Sequence, residues 1–375
     1  MRRLVTPVVV AVLALPFGGA AARPAAGQPA GQLTTGTRTA AGAAAGARVC
    51  TVDDERLPEV SGLAAVGDGY VVVNDSSDAD DRRRIFFLDR DCAVTRTVRY
   101  PSRPRDTEDL IRAPDGTIWV GDIGDNDRER ETVALWKLAP GARSPVLHRV
   151  SYPDGPHDAE ALLLTGDGTP VIVTKDPGIP GLYVPARTLR AGQTTALRKV
   201  GQFTLPTSTT SNPFSFFGRQ LVTGGAVSPD GGRVVLRTYA DALEFEVTGG
   251  DVVRSVTEGT PRVVPLPDEP QGETVTYSPD GTALLTLSEK AEGGSATDPA
   301  LLRYPLPDRE PKPAPATSTP APVASDGAGS GERSANSTLD ITGRFVGAVV
   351  ATLLVMLAFG VFAVRRARRG PGRGR

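Results

Sequence analysis

Two short apolar runs flanking an Asp-Gly turn recur five times along the chain, at Asp68-Gly69, Asp115-Gly116, Asp167-Gly168, Asp230-Gly231 and Asp280-Gly281. Asp-Gly between β-type runs predicts a tight hairpin, because glycine accepts the positive φ that such turns require. The unit is clearest at 106–126 (DTEDLIRAPDGTIWVGDIGDN): an acidic opening, an apolar step, the turn, an apolar run and a polar ending. It recurs at 59–75, 158–176, 223–239 and 272–289.

A repeat near 50 residues points to a solenoid or a propeller. A third apolar run follows each hairpin, at 85–88, 133–138, 181–184, 243–247 and 301–304. A fourth follows in the first four units, at 94–100, 147–152, 200–205 and 262–266, each ending before a proline (Pro101, Pro153, Pro206, Pro267). The fifth unit lacks its fourth strand, and 48–52 (RVCTV) stands ahead of the first unit to supply it. The expected fold is all-β: a five-bladed β-propeller over 47–307, closed by an N-terminal strand so that no edge is left open. A six-bladed alternative would count the segment 208–219 (STTSNPFSFFGR). Otherwise that segment reads as a loop whose exposed Phe214, Phe216 and Phe217 cap the core or offer a contact face, core packing being the first expectation.

The flanks change the picture from a soluble domain to an anchored one. Residues 1–22 have the basic start, apolar run and small-residue end of a secretory signal. Residues 23–46 are a Gly/Ala/Thr-rich lead-in expected to be disordered, and 308–344 form a Pro/Ala/Ser/Thr-rich stalk. The uncharged run 345–364 is long enough, at roughly 30 Å, to be a transmembrane helix. Six arginines in 365–375 follow and place that tail in the cytoplasm. The expected topology is single-pass type I in the cell membrane, with the propeller outside. Partners would be the membrane, through that one helix, and an extracellular ligand or protein. A net charge of −1 over 375 residues gives no reason to expect nucleic acid. The two cysteines, Cys50 and Cys92, read as one disulfide in an exported domain.

In a propeller the first strand of each blade lines the central channel, so equivalent positions form a ring. Counting back seven from each turn aspartate gives Ser61, Glu108, Glu160, Thr223 and Glu273. Three carboxylates around one axis repel one another unless a cation lies between them. Oxygen donors of mixed carboxylate and hydroxyl type suit calcium; the alternative is ion pairing with Arg105, Lys175 or Arg237. The order Ser, Glu, Glu, Thr, Glu, with the opening EVSGL at 59–63, resembles the calcium-dependent apyrase family of nucleotidases. That resemblance implies a five-bladed propeller with calcium held by the ring. More loosely, the chain is similar to phytase-like and lactonase-like bacterial propellers that use axial calcium.

A second layer sits where the second strands end: Asn74 and Asp75, Asp122, Lys175 and Asp176, Arg237, and Glu289 with Lys290. Mixed charge at a channel mouth is a ligand-binding candidate. Lys175 and Arg237 could hold phosphate or carboxylate, and Asp75 or Asp122 could serve as general base. The alternative is a self-neutralising solvated rim. Asp125-Asn126-Asp127 reads as a polar turn rather than a surface calcium loop. The sequence has only His148 and His157, and no HExxH, GxSxG or P-loop. The expected function is therefore a calcium-binding, ligand- or protein-binding ectodomain. The alternatives are a calcium-dependent phosphohydrolase and a lactonase-like esterase.

Overall fold

In the computed structural model, residues 45–290 and 299–307 are described. The expected signal, nearly all of the lead-in, the stalk, the transmembrane helix and the basic tail lie outside them. Among the described residues no helix is long and apolar enough to cross a membrane.

The chain is all-β and propeller-like. It opens with β1 (Ala47–Thr51). The first antiparallel meander is β2 (Val60–Val66), β3 (Gly69–Asn74), β4 (Arg84–Leu88) and β5 (Val94–Arg99). The second is β6 (Asp109–Arg112), β7 (Ile118–Asp122), β8 (Val133–Leu138) and β9 (Val146–Ser151). The third is β10 (Ala159–Leu164), β11 (Pro170–Thr174), β12 (Gly181–Pro185) and β13 (Thr194–Gln202). A short helix, α1 (Ser215–Gly218), precedes the fourth: β14 (Val222–Val227), β15 (Arg233–Thr238) and β16 (Asp241–Glu246), then helix α2 (Val252–Glu258), then β17 (Arg262–Pro265). The last is β18 (Gly272–Tyr277), β19 (Ala283–Ser288) and β20 (Ala300–Pro305), and β1 pairs with β20 as its fourth strand. A parallel pairing of β13 with β9 joins the second and third meanders at their outer edges.

The first strands β2, β6, β10, β14 and β18 lie beside one another in that order, and β18 returns to β2. The core comes as separate apolar clusters, each filling the gap between consecutive meanders. Along β15, Val234 and Leu236 face the third meander while Val235 faces the last. Burial on both faces turns the strands into continuous apolar runs rather than alternating ones. Helix α2, capped by Asp251, which accepts the Arg254 N–H at 3.0 Å, adds Val252 and Val256 to one gap.

The turn glycines Gly116, Gly168, Gly231 and Gly281 have φ between 67° and 86°. The first hairpin differs. Val66 pairs with Gly69, so the turn is Gly67-Asp68 and Gly67 carries the positive φ. Gly69 is required for another reason: a Cβ there would fall 2.0 Å from the Leu88 carbonyl oxygen.

Three expectations are corrected. The fourth strand of the third meander is Thr194–Gln202, not 200–205. Its first residues pair with β9, so edge hydrogen bonding rather than apolar content sets its start. Segment 208–219 contributes α1 and no strand. Phe214, Phe216 and Phe217 are exposed, at 37%, 61% and 38%, and do not cap the core; Phe214 packs on Tyr239 with ring centres 4.5 Å apart. Cys50 and Cys92 are joined, tying β1 to the β4–β5 turn and so the last meander to the first.

Candidate functional site

Each first strand carries a β-bulge at the position that counting from the turn picks out. The pairing register slips across Ser61, Glu160, Thr223 and Glu273. In the second meander the Glu108 N–H bonds the Gly121 carbonyl at 2.9 Å while Asp109 pairs with Gly121, the same arrangement. A bulged residue leaves the ladder, and its side chain is re-aimed.

The five bulge residues do different work. Ser61 Oγ donates to the carbonyls of Thr107 and Glu108 on the next strand. Thr223 Oγ1 donates to the Gly272 carbonyl at 3.1 Å. Both hydroxyls lock neighbouring meanders together. Glu160 Oε1 pairs with the Lys175 ammonium, while its buried Oε2 has no hydrogen-bond partner. Glu273 Oε1 accepts Tyr239 Oη at 3.3 Å and Gln271 Nε2 at 3.4 Å. Glu108 alone of the five joins a compact group: one oxygen each from Asp75, Asp106 and Glu108 lie within 4.8 Å of one another.

That group forms because backbone bonds place the mouth residues in register. Asp75 N–H bonds Glu59 O at 2.8 Å, Gly124 N–H bonds Asp106 O at 3.2 Å and Lys175 N–H bonds Asp158 O at 2.9 Å. Each acidic opening is thereby pinned to the end of its own second strand. Gly124 matters for a steric reason. A Cβ there would lie 2.0 Å from Glu108 Oε1 and 2.6 Å from Asp106 Oδ2.

Carboxylates so close oppose one another's ionisation. Burial first and Glu273 second push Asp75 up to about 6. Burial and Asp75 push Asp106 up to about 7. Burial, then Asp75 and Glu160, hold Glu108 well above the usual carboxylate range. Burial also raises Glu160, against the pull of Lys175. Burial alone would lower Lys175, but Glu160 and its neighbours hold it well above its ordinary value. Glu289 is raised by burial and by Glu273. An all-oxygen set with oxygens up to 4.8 Å apart is what an ion making contacts of about 2.3–2.6 Å can span.

Several mouth candidates have other roles. Arg237 is fully buried and donates to Glu269 Oε2 at 2.7 Å and to the Thr274 carbonyl at 2.6 Å. It is a strut between β15 and β18 and does not face the mouth. Asp122 is 3% exposed; it accepts the backbone N–H groups of Arg105 and Asp106, Arg130 Nη2 at 2.8 Å and Trp136 Nε1 at 3.2 Å. A carboxylate so fully engaged holds the opening of its meander and is no general base. Asn74 Nδ2 bonds the carbonyls of Arg56 at 2.7 Å and Arg82 at 3.0 Å. Asp125 closes a polar turn by accepting the N–H groups of Glu129 and Arg130.

Asp106 was not singled out among the candidates, although it stands in the acidic opening beside Glu108. Asp109 was also missed. It is 1% exposed, and its Oδ2 accepts the N–H of Leu162 at 2.8 Å and of Gly225 at 3.1 Å. The one available signal was a charged residue directly before the apolar pair Leu110-Ile111.

No protein-family model matches the chain, and no curated protein matches it in sequence. Solved structures with a similar backbone include a gluconolactonase from Xanthomonas campestris (19% identity, 66% of this chain and 72% of that one, TM-score 0.38). Others are a luciferin-regenerating enzyme (16%, 66% and 77%, TM-score 0.39) and a virginiamycin B lyase from Staphylococcus aureus (10%, 69% and 73%, TM-score 0.34). At these identities and TM-scores the likeness carries no chemistry, which has to come from the site itself.

Proposed function

We propose that this protein is a divalent-cation-dependent hydrolase of small uncharged esters, lactones included, built on a five-bladed propeller. One observation carries the reading: Asp75, Asp106 and Glu108 converge at the channel mouth, beside the unpartnered Oε2 of buried Glu160. These residues would hold a calcium ion, with Glu273 across the channel. When bound, the ion would neutralise the carboxylates and polarise a carbonyl oxygen.

The remaining work falls to the chain's own groups. Glu160 Oε2 is the atom that would take the proton of an attacking water. Lys175 on Oε1 fixes that carboxylate, and Tyr239 Oη lies 3.4 Å from the same ammonium. Substrate charge follows from the surroundings. The ammonium among these carboxylates is already paired, and Arg237 is buried behind them. A nucleotide or inositol phosphate would bring negative charge towards Asp75, Asp106, Glu108 and Glu160, with the bound ion already shared among them, so a neutral substrate is favoured over the phosphohydrolase alternative.

The test is turnover by the full chain, purified in detergent, of aliphatic lactones, aryl esters and ADP, with calcium and after EDTA. We expect calcium-dependent lactone or ester hydrolysis, lost in Glu160→Gln. That change also leaves buried Lys175 without its carboxylate, so the variant should melt lower, and circular dichroism at the assay temperature checks that it is still folded. ADP hydrolysis without ester hydrolysis would restore the phosphohydrolase reading. No turnover with calcium, magnesium or manganese would leave the calcium-binding ectodomain.

A further inference from the structure

The rim of the first meander carries a cluster of opposite sign to the mouth. Pairing of β4 with β5 sets Arg84 directly across from Arg99. Like charges directly opposite on adjacent strands are destabilising unless something lies between them. Among the described residues, neither guanidinium has a carboxylate within ion-pair distance. The two other arginines nearby are committed: Arg83 to Asp80 and to the Ser77 carbonyl at 2.7 Å, and Arg103 to Asp78 at 2.6 Å.

A cleft of about 260 Å³ opens here, lined by Asp80, Arg83, Arg84, Arg99, Tyr100 and Arg103, the Asp80 carboxylate being held by Arg83. The Tyr100 ring packs edge-on against Trp136, centroids 5.1 Å apart, which fixes its direction. Its hydroxyl is buried without a hydrogen-bond partner. The hydroxyl lies inside, towards Asp122 and Trp136, and is not offered to the cleft. Two uncommitted guanidinium forks are donors only, and they match the oxygens of a tetrahedral dianion.

We infer that the cleft between Arg84 and Arg99 is a binding site for a phosphate dianion, free or as a small monoester. It stands apart from the acidic mouth, joined to it by the loop 75–83 that runs from Asp75 to Arg84.

The experiment is calorimetric titration of the full chain, in chloride buffer, with inorganic phosphate and separately with phenyl phosphate. We expect single-site binding of at least one. Arg84→Gln and Arg99→Gln should each weaken it roughly 10-fold or more, while Tyr100→Phe, whose hydroxyl lies inside, should leave it unchanged. Binding of the ester alone assigns a monoester site; binding of both assigns the free ion as a ligand. The second readout is the melting temperature without phosphate. Arg99→Gln should leave it unchanged or raise it, because a repulsion is removed. No binding of either compound, equal affinity in the arginine variants, or a lowered melting temperature in Arg99→Gln would overturn the inference.

Discussion

The carboxylate of Asp109 accepts the backbone N–H of Gly225 at 3.1 Å, across 116 positions of sequence. The same oxygen takes the Leu162 N–H at 2.8 Å, so one side chain in β6 holds β10 and β14. Burial pushes this carboxyl well above its ordinary range, and the backbone donors pull it back. The other oxygen accepts the Leu110 N–H at 2.8 Å, so Asp109→Asn keeps one acceptor but must turn its NH2 against a backbone N–H, and should destabilise the fold by about 1–3 kcal/mol. Denaturant melting measures this; an unchanged midpoint would show the contact to be dispensable.

Gly124 gives a way to disturb the carboxylate group without touching a carboxylate. The Cβ of Gly124→Ala would displace Glu108 and Asp106. The variant should fold, because Gly124 has no positive φ, yet gain little melting temperature from calcium. Wild-type stabilisation by calcium in this variant would argue that the ion binds elsewhere.

The same carboxylates set a pH dependence of unusual sign. Asp75 and Asp106 hold protons in the folded chain up to about 6 and about 7, from an ordinary value of 3.8. Between those limits the folded state binds more protons than the unfolded one, so stability falls as pH rises. In EDTA the melting temperature should therefore decline from about pH 4 to about pH 7, and saturating calcium should remove the decline. A melting temperature that rises with pH across that window in EDTA would contradict the arrangement.

Arg237 separates a structural role from a ligand-binding one. Arg237→Met leaves Glu269 a buried charge without its cation, and should cost roughly 3–5 kcal/mol of stability. Glu269 also accepts Thr286, Ser288 and Tyr304 hydroxyls, so the loss should spread to the closing strands. Near-wild-type melting with weakened substrate binding would instead return Arg237 to the mouth.

Much of the architecture was legible from local pattern. The Asp-Gly turns and the apolar runs beside them carry their own geometry, since turn φ and two-sided burial are encoded within a few residues. That is why the hairpins, the closing strand and the Cys50–Cys92 pair could be read directly. Counting back from the turns even located every bulge, because the first strand keeps its length between bulge and turn. What the bulge residues do was decided only by the folded chain. Ser61 and Thr223 donate to a neighbouring meander, and Glu160 meets Lys175, through contacts that depend on how one sheet leans on the next. Arg237 and Asp122 occupy mouth positions in the pattern, but partners brought in from other strands draw them into the interior. Local hydrogen bonding and hydrophobicity set the strands; packing of the first meander against the second, which brings Asp75 to Asp106 and Glu108, assembled the carboxylate group.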